Sequence, residues 1–130
     1  MSLFYSTKEK DIFAVAGLWS EWQDNEGEIL KTFSGVTTTG NTLMAKSHNN
    51  AKLNEPRMPL IQNEEMQEEW LNNELNMVNV IALIQPLSSK KLIAHPVGPL
   101  KGKNAIGNKP NATHEVKYAV LERGEQLNLV

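Results

Sequence analysis

Polar side chains between residues 37 and 57 offer acid–base and anion-binding chemistry. Thr37, Thr38 and Thr39 end a β-branched stretch, His48 follows in a polar segment, and Arg57 precedes the next apolar segment. An imidazole titrates near neutral pH and can move protons at a carbonyl or hemiacetal centre. Threonine hydroxyls and a guanidinium fork suit phosphate oxygens. The competing interpretation is an exposed histidine in an ordinary loop.

Most other reaction chemistries lack the residues they need. The chain has no cysteine, which excludes disulfides, cysteine-ligated metals and a cysteine nucleophile. His48, His95 and His114 match no compact metal motif, so we expect no metal and no cofactor. Ser-His-Asp hydrolysis lacks support because Asp11 and Asp24 are the available aspartates and no Gly-x-Ser-x-Gly elbow occurs. Gly-x-Gly-x-x-Gly and Walker loops are also absent.

The composition predicts one globular domain over residues 1–130. Hydrophobic residues make up 40% and charged residues 22%, with a net charge of −2. The longest apolar stretch, residues 12–18, is far shorter than the roughly 20 residues of a membrane-spanning helix. No signal peptide is visible after Met1, so we expect a cytoplasmic protein with no membrane partner.

Charge is distributed in two opposed blocks. Acidic residues are concentrated between positions 55 and 76, and lysines between positions 86 and 118. Two interpretations stay open: two solvated faces, or a basic block that helps to attract an anion.

The first part of the chain is predicted to form strands. Residues 12–19 are an apolar run, which is typical of a strand covered on both faces. The Asp-Asn-Glu-Gly sequence at 24–27 predicts a hairpin turn, because Asn and Gly tolerate positive φ. Residues 29–38 are rich in β-branched and aromatic side chains and predict the returning strand.

Short helices and a further strand are predicted beyond the hairpin. Thr39 or Asn41 caps a helical turn from which Met44 packs inward. Asn63 caps a helix that extends to about Leu75. The other expected elements are a helix or strand at 78–84 and a strand at 91–97. The fold class is therefore α+β, with β predominating.

A series of short motifs follows one order along nearly the whole chain. The motifs are Ala16-Gly17-Leu18-Trp19, Trp22, Thr32-Phe33 with Thr37-Thr38, Asn41-Leu43-Met44, His48-Asn49, Arg57-Met58-Pro59, Trp70-Leu71 and His95-Pro96-Val97. This order resembles the C-terminal half of the SOS response-associated peptidase (SRAP) family of abasic-site processing proteins. The resemblance extends from about Phe4 to about Glu122, and the segment at 108–112 is similar to the family's asparagine-rich closing segment.

The resemblance implies a β-rich pseudo-barrel of mixed strands with short flanking helices, incomplete here because the N-terminal half is missing. It also implies binding of single-stranded DNA, or of single-stranded/double-stranded junctions, at an abasic site in the DNA-damage response. In the family, an N-terminal cysteine forms a thiazolidine with the opened sugar aldehyde and gives the peptidase label. The family's histidine corresponds to His48, which would bind the opened sugar oxygen and transfer protons. Thr37 and Arg57 correspond to positions that hold DNA phosphates.

The chain departs from the family in its catalytic residues. Residue 2 is Ser2, whose hydroxyl cannot replace the thiolate sulfur of a thiazolidine. Glu21 lies in a segment that imitates the family's glutamate motif, but its place in the motif order gives it no catalytic role. We therefore expect the chain alone to be catalytically inert, as a truncated reading frame, an expressed fragment or a divergent product.

Three functional hypotheses stay open at this point. The chain is the C-terminal part of a cross-linking enzyme, or a non-catalytic DNA-binding or protein-interaction module of the same origin. The third is self-association through strand edges that the missing half leaves exposed.

Overall fold

A computed structural model of the chain describes residues 2–9, 12–47 and 54–119, which form short strands and helices. The strands are β1 (Ser2–Thr7), β2 (Ala14–Val15), β3 (Gly17–Gln23), β4 (Ile29–Gly35), β5 (Thr37–Thr39), β6 (Arg57–Pro59), β7 (Ile61–Gln62) and β8 (Leu92–Val97). The helices are α1 (Thr42–Ser47), α2 (Glu64–Trp70) and α3 (Met77–Ala82), with 3₁₀ turns at Ser89–Lys91 and Pro110–Thr113. The predicted α+β class is confirmed.

The described strands pair two by two and form no closed barrel. Four antiparallel sheets of two strands each contain β1 with β8, β2 with β7, β3 with β4, and β5 with β6. Three residues that each separate two strands join these sheets through backbone hydrogen bonds of 2.9 Å. The Ala16 amide donates to Leu60, the Leu60 amide to Val36, and the Val36 amide to Ala16. This cycle fixes where β2 passes into β3, β4 into β5, and β6 into β7.

The β3–β4 hairpin follows the sequence prediction closely. Seven residue pairs join the strands, from Gly17 opposite Gly35 to Gln23 opposite Ile29. At the turn, Asp24 Oδ1 accepts hydrogen bonds from the amides of Glu26 and Glu28, both at 2.9 Å. Gly27 has a φ of 89°, the left-handed conformation that closes this turn and favours glycine. Local chemistry therefore accounts for the hairpin.

The hydrophobic core is small and lies under α1, β6 and β7. Its buried members are Met44, Met58, Ile61 and Leu92, with Tyr5, Leu43 and Leu87 packed against them. Met44 confirms the predicted inward packing of α1, whose first turn is capped by Asn41: its Oδ1 accepts from the Met44 amide at 2.9 Å.

The apolar run at 12–19 is not covered on both faces, which corrects the prediction. Ile12, Val15, Leu18 and Trp19 are all exposed. The run is also divided at Ala16 into β2 and the start of β3. The apolar composition of the run did not predict its burial, because the described part of the chain contains no layer that covers the hairpin.

The helices after residue 63 are shorter than the sequence predicts. Asn63 caps α2 as expected, since its Oδ1 accepts from the Met66 amide at 2.9 Å. The helix ends at Trp70 rather than near Leu75. Asn72 Oδ1 accepts from the Glu74 amide at 2.9 Å, so a local asparagine turn replaces further helix. The segment at 78–84, left open above, is largely helical in α3.

Candidate nucleic-acid interface

The β5–β6 pair separates a buried face from an exposed polar face. Thr38 lies opposite Met58, and both side chains are buried. Thr39 lies opposite Arg57, and Thr37 lies opposite Pro59. Because successive residues of a strand point to opposite faces, Thr37, Thr39 and Arg57 share the exposed face. Packing of Met58 in the core therefore fixes which way Arg57 points.

Arg57 and Thr37 are joined by two hydrogen bonds across this pair. Arg57 Nε donates to Thr37 Oγ1 at 3.0 Å, and Arg57 Nη2 donates to the Thr37 carbonyl at 2.8 Å. The two residues are diagonal neighbours in the antiparallel register, within reach of a long side chain. The structure thus brings together two of the three residues that the sequence singled out.

The Arg57 guanidinium keeps donor capacity for an anion. No described carboxylate lies within salt-bridge distance of it, and its Nη1 makes no hydrogen bond to a described residue. The Thr37 hydroxyl accepts from Arg57 and so keeps its own O–H for donation. A charged fork held beside a hydroxyl on an exposed strand is an arrangement suited to phosphate oxygens.

The two ends of the connection from β5 to β6, Gly40 and Pro56, are in contact. The Gly40 amide donates to the Pro56 carbonyl at 2.7 Å. A Cβ added at Gly40 would stand 3.2 Å from Pro56, so this close approach favours glycine. The segment between them therefore begins and ends beside the exposed face that carries Arg57.

Helix α1, which opens this connection, is anchored on three sides. Asn41 Nδ2 donates to the Leu87 carbonyl at 2.7 Å, and Thr42 Oγ1 donates to Ser89 Oγ at 2.8 Å. At the helix end, Tyr5 donates its phenolic O–H to Ser47 Oγ at 2.8 Å. His48 follows Ser47 directly in the sequence but lies outside the described residues, so its predicted catalytic place stays a prediction.

The two other histidines lie elsewhere. His95 Nε2 donates to the Thr113 carbonyl at 2.8 Å, and its ring lies 5.4 Å from that of Phe4, the residue opposite in β1. These contacts attach the 110–113 turn to β8, a structural role. His114 is exposed. Neither is brought to the Arg57 face by any described contact.

Gln62 was not anticipated from the sequence. Its side chain is only 4% exposed, yet neither Nε2 nor Oε1 has a hydrogen-bond partner. Buried amides are nearly always paired, so this one calls for an explanation. The only signal in the sequence is one polar residue directly after the apolar pair Leu60-Ile61.

Residues 2–9, 12–47 and 54–119 contain neither a metal-ligand cluster nor a membrane-spanning helix. No three metal-ligating side chains there are close enough together to hold a metal ion. No helix in those ranges has the length and apolarity needed to cross a membrane.

Comparison with known families agrees with the motif order. The family model described as SOS response associated peptidase (SRAP) matches residues 2–103. The chain belongs to the SRAP family. The matched region contains Thr37, His48 and Arg57 but stops before the segment at 108–112, so the resemblance of that segment stays a prediction.

Curated SRAP relatives are longer proteins. Abasic site processing protein YoqW of Bacillus subtilis (strain 168) is 34% identical over 94 residues, which are 72% of this chain and 39% of YoqW. Abasic site processing protein YobE of the same strain is 31% identical over 94 residues, 40% of its length. The chain therefore spans well under half the length of these relatives.

Solved structures confirm the SRAP-like fold. A protein from Bacteroides thetaiotaomicron superposes with a TM-score of 0.73 at 29% identity, covering 88% of this chain and 48% of that one. A protein from Bordetella bronchiseptica superposes with a TM-score of 0.61 over 71% of this chain and 43% of that one. The second likeness, at 18% identity, concerns the fold alone.

Proposed function

We propose that this SRAP chain provides the DNA-backbone contact and the acid–base histidine of an abasic-site processing protein. The observation that carries the proposal is the pair of hydrogen bonds by which Arg57 is held against Thr37. The names of the relatives YoqW and YobE supply the substrate class, DNA with an abasic site.

Arg57 and Thr37 bind a DNA phosphate in this proposal. The exposed guanidinium donates its free N–H groups to the phosphate oxygens, and the Thr37 hydroxyl donates a further hydrogen bond to the same phosphate. Phosphate contacts position a nucleic acid without reading its sequence, which suits a protein that must act at any abasic site. A single strand is the favoured ligand because an opened sugar is most accessible there.

His48 is the proposed proton-transfer residue. It directly follows Ser47, which Tyr5 anchors at the end of α1, and it lies on the connection that starts and ends beside the Arg57 face. At neutral pH an imidazole can donate a proton to the sugar ring oxygen as the ring opens and accept it on reversal. Its role rests on the family correspondence and on this position in the sequence.

The covalent step requires a residue that these 130 residues do not contain. A thiazolidine forms when an amine and a thiol add to one aldehyde carbon with loss of water, and the chain has no cysteine. We therefore propose that this chain alone binds abasic DNA without cross-linking to it. The same absence favours the second candidate, a non-catalytic DNA-binding module.

Fluorescence anisotropy with two matched single strands, one abasic and one undamaged, tests the proposal. We expect salt-dependent binding of both DNA strands. Arg57→Ala should lower the affinity for both. His48→Ala should reduce binding of the abasic strand only. A His48→Ala variant that binds both strands normally would favour the non-catalytic module, and an Arg57→Ala variant that does so would contradict the DNA contact.

Intact mass after incubation with abasic DNA supplies the covalent readout. We expect the unmodified mass of the chain alone. An adduct would contradict the proposal that the cysteine is indispensable.

A further inference from the structure

The segment that follows β8 is strongly basic. Residues 98–118, which we call the lysine segment, contain four lysines and a single carboxylate, that of Glu115. All four lysines are exposed: Lys101, Lys103, Lys109 and Lys117. No described carboxylate lies within salt-bridge distance of any of them. The lysine segment therefore presents cations to solvent in a chain whose net charge is −2.

The lysine segment is attached to the end of the β1–β8 sheet. Three carbonyls at this end accept hydrogen bonds from it: Pro96 from the Val116 amide at 2.9 Å, Val97 from the Tyr118 hydroxyl at 2.8 Å, and Pro99 from the Ile106 amide at 2.9 Å. These contacts come from both halves of the segment. Lysines that are far apart in the sequence are therefore kept at one end of one sheet.

The side-chain chemistry of the lysine segment suits a DNA backbone. Besides the lysines, its exposed polar side chains include three asparagines: Asn104, Asn108 and Asn111. Lysine and asparagine are among the side chains that donate hydrogen bonds to the phosphates and sugars of DNA. One phosphate contact at Arg57 supplies little affinity at physiological salt, because DNA-binding proteins combine several such contacts. The lysine segment contains the densest group of additional cations in the described part of the chain.

Strand β8 sets the distance from the core beneath Arg57 to the lysine segment. Leu92, the first residue of β8, packs in the same core as Met58, the neighbour of Arg57. Val97 ends the strand five residues later, or about 16 Å away at about 3.3 Å per residue. About 5 nucleotides span this length, since phosphates of one strand of a duplex are about 3.4 Å apart. DNA held at Arg57 must therefore extend several nucleotides to reach the lysine segment.

We propose that the lysine segment binds the phosphate backbone of the DNA that flanks the abasic site. The inference rests on the proposed function, because it extends the DNA contact made by Arg57 and Thr37. The lysine ammonium groups contact phosphates as point charges, without the fixed fork of an arginine. Such contacts read no base sequence. Single-stranded and duplex flanks offer the same phosphate chemistry.

Affinity for abasic strands of two lengths tests the inference. The lysine-segment variant replaces Lys101, Lys103, Lys109 and Lys117 with glutamine. For a strand of about 25 nucleotides we expect the affinity to fall by about tenfold or more and the magnitude of the salt slope to fall by about 3, since each single-strand phosphate contact contributes about 0.7. For a strand of about 5 nucleotides with the abasic site at its centre we expect no change, because it cannot reach both sites. Unchanged affinity for the long strand, or an equal loss for both lengths, overturns the inference.

Two further variants separate the contact from net charge and from folding. Replacing four other exposed lysines with glutamine, Lys8, Lys46, Lys90 and Lys91, changes the net charge equally. This control should lower the long-strand affinity by less than about threefold. Arginine at all four positions of the lysine segment keeps the charge and should retain binding. An equal loss in the control, or a loss with arginine as large as with glutamine, contradicts the inference.

The flank type and the competing partner are resolved by the same proteins. Substrates whose flank is made double-stranded on one side or the other show whether the lysine-dependent affinity comes from single-stranded or duplex DNA. An acidic surface of another protein molecule is the alternative partner. Self-association in light scattering that the lysine-segment variant abolishes, with DNA affinity unchanged, would overturn the inference in its favour. Arg57→Ala reports separately on the proposed function, because it should weaken binding of both strand lengths.

Discussion

Arg57 is bound to Thr37 at two points, the hydroxyl and the carbonyl, across the short β5–β6 pair. One residue along each strand, Thr38 and Met58 are buried side by side. The exposed arginine is thus oriented by the core beneath it, and a flexible surface side chain becomes a fixed donor group. This relationship connects the fold to the proposed function.

Arg57→Ala should weaken binding of single-stranded DNA by about three- to tenfold and should lower the magnitude of the salt slope by about 1, because one phosphate contact is lost. Fluorescence anisotropy at several salt concentrations measures both. Arg57→Lys keeps the charge but not the fork, so it should retain part of the affinity. An unchanged salt slope in Arg57→Ala would exclude the phosphate contact.

Thr37→Val should weaken DNA binding, though less than Arg57→Ala, because it removes the hydroxyl that accepts from Arg57 Nε while keeping the β-branched shape. Thr39→Val on the same exposed face is the matched control and should bind as the parent chain does. Titration of all three proteins with one labelled strand makes the comparison. Equal losses at positions 37 and 39 would show that the effect is not specific to the Arg57 contact.

Met58→Ala should lower the free energy of unfolding by about 2–4 kcal/mol, because it leaves a cavity in a small core. The parent side chain is only 1% exposed. Met77→Ala at an exposed position of α3 should change stability by less than about 0.5 kcal/mol. Urea denaturation followed by circular dichroism gives both values. Similar stabilities for the two variants would contradict the assigned core.

Gly27→Ala should destabilise the chain by about 1–2 kcal/mol, because alanine is strained at a φ of 89°. Gly35→Ala is the control: the added Cβ would have no atom within 4 Å, and the residue is not in the left-handed region. Thermal melts of the two variants test the turn geometry. A Gly27→Ala variant as stable as Gly35→Ala would contradict it.

The sequence predicted elements whose causes are local. The Asp24–Gly27 turn, the Asn63 cap and the pairing of the hairpin strands all depend on a few neighbouring residues, and all are confirmed. Of the two caps left open for α1, Thr39 and Asn41, the structure shows Asn41. The predicted end of α2 was too late because Asn72 Oδ1 accepts from the Glu74 amide in a local turn. Side-chain periodicity does not reveal such a side-chain-to-backbone hydrogen bond. The asparagine cap thus located the start of α2 better than side-chain periodicity located its end.

Long-range relationships were predictable only in part. The residue types at 37 and 57 indicated a shared anion site, and the register of β5 and β6 brings them together. The exposure of Trp19 and the orphaned amide of Gln62 could not be predicted, because burial depends on what packs over a residue. Trp19 is exposed because the described part of the chain contains no layer that covers the β3–β4 hairpin, and Gln62 is buried without a partner because no polar group packs against its amide.

NMR titration of the ¹⁵N-labelled chain with a single strand containing one abasic site tests the central claim most directly. We expect the largest shifts at the Arg57 Nε–H and at the amide of Thr37, with the β3–β4 hairpin amides unmoved. Shifts concentrated on the hairpin, with the Arg57 Nε–H unchanged at saturating DNA, would contradict it.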